Sequence, residues 1–326
     1  MKMAELLVDQ GADVRRPGQE GDTPLMVAAR NGCLTMIEWL IERGADVGDF
    51  SEFDGSTALT VAVISGNLEI VDYLINKGAS LRTENLWDSR SLLSVAAAQG
   101  FLAEVRYFLE KGFPVNGRDD SGLTAIHYSL RSTITSRYIL EYLVDHGGDP
   151  TIKNNLGISP LMDACLHGLP WHAGYLIGKG TAVNDSDLNK ETPLHYACRG
   201  IPAESLPESE KRPLATIKLL IEKGARVNVQ DIRGRTPLMD AARNAGPQAV
   251  EVLLDRGAQI DGQDLAGMSA LMHAADWNQT AVIKILAERG ADLNLKNAKG
   301  ETALAIAKQK RSSAPAYELL KSLGAN

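Results

Sequence analysis

Apolar residues along this chain fall into short paired helical stripes and never into long runs. The stretch from Gly234 to Asp261 (GRTPLMDAARNAGPQAVEVLLDRGAQID) contains one such pair. Leu238, Ala241 and Ala242 give a first helix one apolar face, with small residues that allow close approach. Thr236 stands at its N-cap, where the hydroxyl can accept from the orphan amides of the first turn. Pro237 follows at the first helical position, where a missing N–H costs nothing. Ala245-Gly246-Pro247 predicts a break. Val250, Leu253 and Leu254 then predict a second helix, and Gly257 fits a left-handed C-cap. Neither helix is long or apolar enough to stand alone, so the unit requires neighbours.

The same pattern recurs along the chain. Its cap positions are Thr23, Thr57, Ser91, Thr124, Ser159, Thr192, Thr236, Ser269 and Thr302, spaced 34, 34, 33, 35, 33, 44, 33 and 33 residues apart. Glycines from Gly44 and Gly78 through to Gly324 close the second helices in step. Thr192-Pro193-Leu194-His195-Tyr196-Ala197 and Thr23-Pro24-Leu25-Met26-Val27-Ala28 follow a T-P-L-H-x-A core. Over nearly its whole length the chain therefore resembles the ankyrin-repeat family. The resemblance implies an all-α solenoid of helix–loop–helix units joined by β-turn fingers, with a period of about 33 residues.

The departures from the period set expected boundaries within a single solenoid. Residues 1–17 read as a leading half-repeat, which leaves Leu6 and Leu7 facing a helix the sequence lacks. Residues 18–299 hold eight repeats, with an insertion at 201–212 (IPAESLPESEKR) whose composition predicts a solvated loop. Residues 300–326 form a C-terminal capping repeat, with Lys308, Lys310, Arg311 and Lys321 on its polar face. The turns before Thr57 and Ser91 are each one residue longer than the rest. Ser89 and Lys190 stand where the other repeats have a turn glycine.

Composition narrows the function. There are 34 basic and 41 acidic residues, a net charge of −7, which disfavours nucleic acid or an anionic membrane as partner. No apolar run approaches the roughly 20 residues of a membrane span. Three scattered cysteines, Cys33, Cys165 and Cys198, argue against a disulfide framework and for a reducing, cytoplasmic setting. The start in mid-repeat leaves room for a removed upstream segment or signal.

No nucleophile elbow, phosphate loop or HExxH or CxxC pattern occurs, so neither a catalytic site nor a cofactor is expected. His167 and His172, with Cys165 nearby, make an incomplete ligand set for a metal. Cys198 reads as a buried helical cysteine, with a reactive thiol beside Arg199 as the alternative. Asp163 and Asp240 hold equivalent first-helix positions about 20 Å apart, two layers of packed helices, and read as solvated or hydrogen-bonding residues of a concave face. Trp39, Tyr73, Tyr107, Tyr142 and Tyr175 predict a semi-buried column on the second helices. The resemblance implies that His127 and His195 brace their turns by hydrogen bonds.

Finger tips carry the candidate site. Phe50, Phe53, Leu86 and Trp87 are expected to make one apolar patch on adjacent fingers, rimmed by Asp49, Glu52, Asp54 and Asp88. Leu188, Ile232 and Leu265 occupy later tips, and Trp277 ends a first helix on the concave side. The column just before the cap, including Arg90, Leu123, Ile158, Arg235 and Met268, belongs with them as exposed surface. The expected function is non-catalytic binding of one or more proteins, by a monomer, through fingers and concave helices. For the phenylalanine patch the partner is expected to set basic residues around an apolar centre. Alternatives are an inhibitor or immunity-type protein that blocks an enzyme active site with its fingers, and a regulatory ankyrin region of a larger enzyme or channel.

Overall fold

The structure is a computed structural model that describes residues 2–81, 89–131, 136–200, 213–309 and 314–326. The insertion at 201–212 lies outside the described residues. Contacts divide the chain into two compact units, Met1–Asn155 and Leu156–Asn326.

The first unit begins with α1 (Lys2–Asp9). First and second helices then alternate as α2 (Pro24–Arg30), α3 (Leu34–Glu42), α4 (Ala58–Ile64), α5 (Leu68–Asn76), α6 (Leu92–Gln99), α7 (Leu102–Glu110), α8 (Ala125–Ser129) and α9 (Ser136–Asp145). The second unit continues with α10 (Pro160–Leu166), α11 (Pro170–Gly178), α12 (Pro193–Arg199), α13 (Pro213–Glu222), α14 (Pro237–Asn244) and α15 (Pro247–Asp255). It ends with α16 (Ala270–Asp276), α17 (Thr280–Glu288), α18 (Ala303–Gln309) and α19 (Ala314–Ser322). Among the described residues the only β-pairing is two isolated bridges, Phe50–Thr57 and Gln263–Ser269. The fold class is the all-α repeat solenoid that the periodicity predicts.

Six of the first helices, α2, α4, α8, α10, α12 and α14, start on a reciprocal cap. Met26 N–H donates to Thr23 Oγ1 at 3.3 Å, and Thr23 N–H donates back to the Met26 sulfur at 3.5 Å. The third helical residue supplies the return acceptor, and its chemistry varies. Thr60 Oγ1 accepts from Thr57 N–H at 2.7 Å, and His195 Nδ1 accepts from Thr192 N–H at 3.1 Å. His127 does the same for Thr124. The two histidines thus brace their turns as the resemblance implies, and His195 Nε2 also reaches Arg235 O at 3.1 Å. Their interchange with Met and Thr shows that side chains of quite different chemistry can supply this acceptor.

Small residues decide how closely first helices approach. Ala241, Ala242, Ala274 and Ala275 are fully buried where α14 and α16 pack together. Second helices bury larger groups: Val250 and Leu253 on α15, and Val282, Ile283 and Leu286 on α17. At the C-terminal end of these helices, loop asparagines sew consecutive repeats together. Asn228 Nδ2 donates to Gly257 O at 2.9 Å while its Oδ1 accepts from Gln259 N–H at 2.9 Å. Asn116 does likewise with Gly147 and Asp149, and Asn184 with Gly224 and Arg226. Ser89 and Lys190 adopt φ of 50° and 58°, the left-handed conformation that glycine supplies in the sister turns, so the backbone motif survives both departures.

Helix α1 has no buried residue, with Leu6 and Leu7 exposed at 54% and 53%. Beside it a cavity of about 540 Å³ is lined by Ala4, Val27, Ala28, Met36 and Leu40. With so little burial, α1 should open before any other helix. Amide hydrogen exchange is expected to show residues 4–14 least protected among the helical segments. Protection equal to that of α15 would mean that this face is covered in solution.

Candidate protein-binding surface

One side chain organises each well-formed finger: a carboxylate or amide three residues before the turn position. Asp231 Oδ1 accepts from Arg233 N–H and Arg235 N–H, both at 2.8 Å. Asp119, Asp187, Asp264 and Asn297 repeat this double bond in their own fingers. The second oxygen is then free to reach a side chain near the following helix. Asp187 accepts from the Tyr196 hydroxyl at 2.9 Å, and Asp119 accepts from that of Tyr128. Asp231 accepts from Arg235 Nε at 3.0 Å, and Asp264 pairs with His273 Nε2 at 3.0 Å. Sequence reading passed over this column, although its fixed register three residues before the turn position could have revealed it.

The tips are joined by main chain. In the second unit Leu188 N–H donates to Leu156 O at 3.0 Å, Ile232 N–H to Asn189 O at 2.9 Å and Leu265 N–H to Arg233 O at 2.9 Å. Ala298 N–H continues the series to Ala266 O at 3.0 Å. The ladder fixes the backbones and leaves the tip side chains outside: Leu188 is 70% exposed, Ile232 49% and Leu265 78%. Leu156, which sequence reading missed because it lies one place off the tip column, adds another exposed aliphatic group. Trp277 caps α16 and is half exposed, with the Arg243 guanidinium 4.9 Å from its ring. Gln279 Nε2 donates to Arg243 O at 2.9 Å, and Asn278 Oδ1 accepts from Ala316 N–H at 3.1 Å, so the Trp277 turn is pinned on both sides.

The column before the cap is not exposed surface. Leu123 is buried, and the Arg235 side chain is only 12% accessible. Arg235 has been recruited into an ion network: it meets Asp231 at 2.9 Å, Glu191 at 3.4 Å and Asp240 at 3.7 Å. Glu191 in turn receives Arg199 Nη1 on both oxygens at 2.9 Å. Asp163 and Asp240 are buried rather than solvated, because the helices of this unit close over them. Asp240 Oδ2 meets no hydrogen-bond donor among the described residues. Burial pushes the Asp240 carboxyl from its ordinary 3.8 up to about 6, against the pull of Arg235.

The first-unit patch is only partly within view. Phe50 and Phe53 are exposed at 49% and 61%, while Leu86 and Trp87 lie outside the described residues. The lengthened finger breaks the tip ladder locally: Phe53 N–H donates to Ser51 Oγ at 3.3 Å, and the Phe53 ring lies over Gly21. A Cβ on Gly21 would come within 2.6 Å of that ring. Its acidic rim is partly engaged inside the molecule, although Asp54 stays exposed. Asp49 takes Arg15 Nη2 at 2.7 Å, and Asp54 accepts from the Ser56 hydroxyl at 2.7 Å. Glu52 remains exposed, and Asp88 is outside the described residues.

The other chemical candidates are inert or structural. Burial raises the Cys165 and Cys198 thiols, so neither is a ready nucleophile. Among the described residues no group of three or more His, Cys, Asp or Glu is arranged to hold a metal ion. The tyrosines of the aromatic column are semi-buried as expected while Trp39 is buried in the core, and Trp39, Tyr73, Tyr107 and Tyr175 each lie under a cation one turn on: Arg43, Lys77, Lys111 and Lys179.

Capped helix pairs, fingers and asparagine stitches define a repeat protein, with a solvent-facing tip row in its second unit. A family model of ankyrin repeats, three copies long, matches residues 1–85, 79–154, 135–206 and 208–297, and the chain belongs to the ankyrin-repeat family. No curated protein matches it. Ankyrin repeats are in general protein–protein interaction modules.

The buried carboxyl of Asp240, only partly offset by Arg235, has a measurable cost. A group whose folded pKa is raised contributes stability that is complete below its unfolded pKa and lost as pH rises through the folded one, here between 3.8 and about 6. Asp240→Asn removes that ionisation. Relative to the parent it should gain stability as pH goes from 4 to 7, by an amount on the order of 3 kcal/mol. Urea unfolding at several pH values measures this. A gap between variant and parent that stays flat with pH would show that Asp240 ionises in its ordinary range.

Proposed function

We propose that this chain is a non-catalytic module that binds a partner protein across the hairpin tips of its second unit, with Trp277 and the neighbouring first-helix ends as a second line of contact. The observation that carries this reading is the row of Leu188, Ile232 and Leu265, exposed on consecutive tips whose main chains are already hydrogen-bonded to one another. Because the backbone is preset, docking orders little more than side chains, which lowers the cost of association. Full burial of a Leu or Ile side chain is worth about 1.5–3 kcal/mol, so three partly exposed ones supply a useful core for an interface. Trp277 over Arg243 adds residue types that dominate binding hot spots. The three free thiols, two of them buried, fit a reducing cytoplasm as the place of action.

A second reading draws on the first unit. Phe50 and Phe53 project from a lengthened finger, and this favours an inhibitor that inserts an apolar tip into a partner's cleft. With Asp49 paired to Arg15, such a partner has Glu52 and Asp54, both exposed among the described rim residues, to meet with basic groups.

The two surfaces can be told apart with the partner recovered from native extract by the full chain. Leu188→Ala with Leu265→Ala should weaken that complex at least tenfold, about 1.4 kcal/mol, and leave the melting temperature within about 2 °C, since neither side chain packs in the core. Calorimetric titration reads the first effect and thermal unfolding the second. Normal binding by this pair, together with loss of binding in Phe50→Ala with Phe53→Ala, would move the site to the first unit.

A further inference from the structure

The tips of the second unit carry a charge opposite to that of the whole chain. Lys190 follows Leu188 by two residues, Arg233 follows Ile232 directly and Lys299 follows Ala298 directly, and all three are exposed. None of them has a carboxylate within ion-pair distance among the described residues, although Lys299 shares its surroundings with Glu301. The carboxylates of the same fingers face inward. Asp187 and Asp231 are buried and saturated by N–H, hydroxyl and guanidinium donors, and Asp264 is held by two N–H groups and His273. In a chain of net charge −7, the tip row is thus an aliphatic ridge with a cationic flank. On the helix side of that ridge, Arg243 stacks over Trp277 and its Nε finds no acceptor among the described residues.

The repeat distance restricts the shape of what can lie there. Successive tips are spaced like the packed helices beneath them, about 10 Å apart. Seven residues of α-helix advance about 10.5 Å and return to nearly the same face. An extended strand covers the same distance in three residues, an odd number, so alternate contacts would point away from the ridge. A helix with a seven-residue apolar repeat drifts by only about 20° per step, which three consecutive tips tolerate.

We propose that the second-unit tip row receives an amphipathic α-helix of a partner protein, with apolar residues at seven-residue spacing and carboxylates flanking them. The proposal rests on the tip-binding reading above and specifies its occupant. Leu188, Ile232 and Leu265 take the apolar residues, Lys190, Arg233 and Lys299 meet the carboxylates, and rising salt weakens the complex because these charges are exposed.

The test is a selection with the full chain. A displayed helical-peptide library fixes Leu at seven-residue spacing and encodes Glu, Gln and Lys equally at the flanking positions. A second library fixes Leu at three-residue spacing in an extended, β-branched background. Binders from the helical library should favour Glu over Lys by at least about fivefold at the flanks. Selection with the triple variant Lys190→Glu, Arg233→Glu, Lys299→Glu should reverse that preference, and circular dichroism of the variant should match the parent. Binders that lose affinity with Leu188→Ala and Leu265→Ala but show no charge preference, or that come mainly from the extended library, overturn the acidic-helix proposal and leave tip binding standing. If no binder depends on Leu188 and Leu265, both are overturned.

Discussion

The second unit depends on one small arrangement, a carboxylate or amide at the finger base with both of its polar atoms in use. Asp231 holds two backbone N–H groups with one oxygen and a guanidinium with the other. A β-turn of this size has too few internal hydrogen bonds to keep its shape in water, so the side chain supplies what the backbone lacks. The second oxygen then ties the finger to Tyr196, Arg235 or His273, according to the repeat. Finger direction in the second unit is therefore set relative to its helices. The tip ladder becomes possible only after that step, since each N–H must find the carbonyl of the preceding finger.

Where a finger lacks this carboxylate, it is organised differently. The finger bearing Phe53 has Ser51 at its base, and the ring of Phe53 packs over Gly21 where the second unit would have a tip-to-tip hydrogen bond. Burial of aromatic surface substitutes for directional bonding. This explains why the longer turn carries phenylalanine at all: part of its apolar area supports the finger, and only the remainder faces solvent. The acids around it have local partners for a similar reason, because Arg15 and Ser56 lie within reach of them.

Much of the fold was legible because its determinants are local. A cap hydroxyl, a proline at the first helical position and a left-handed glycine each act within a few residues, so Thr23, Pro24 and Gly44 mark their helix ends in the sequence itself. The candidate surface was legible in part. Leu188, Ile232, Leu265 and Trp277 stand exposed where their register placed them, since nothing in the repeat requires them. The errors concern residues whose environment is made by other repeats. Asp163 and Asp240 look solvated on a helical projection, yet the surrounding helices bury them. Arg235 looks like an exposed neighbour of the cap until Glu191, 44 positions earlier, is found beside it. Asp49 reads as a free rim charge for want of Arg15, 34 residues away. Long-range pairing of charges leaves no periodic trace in a sequence.

The tip ladder uses main-chain atoms alone. Any residue except proline can therefore occupy a tip without disturbing the bond that holds it, and substitutions there act on recognition almost independently of folding. The carboxylates at the finger bases have no such latitude, because an alanine would strand several donors at once. The two columns, only one residue apart, would thus diverge at very different rates. The protein carries a row of positions that can be rewritten for a new partner while the frame beneath them stays as it is.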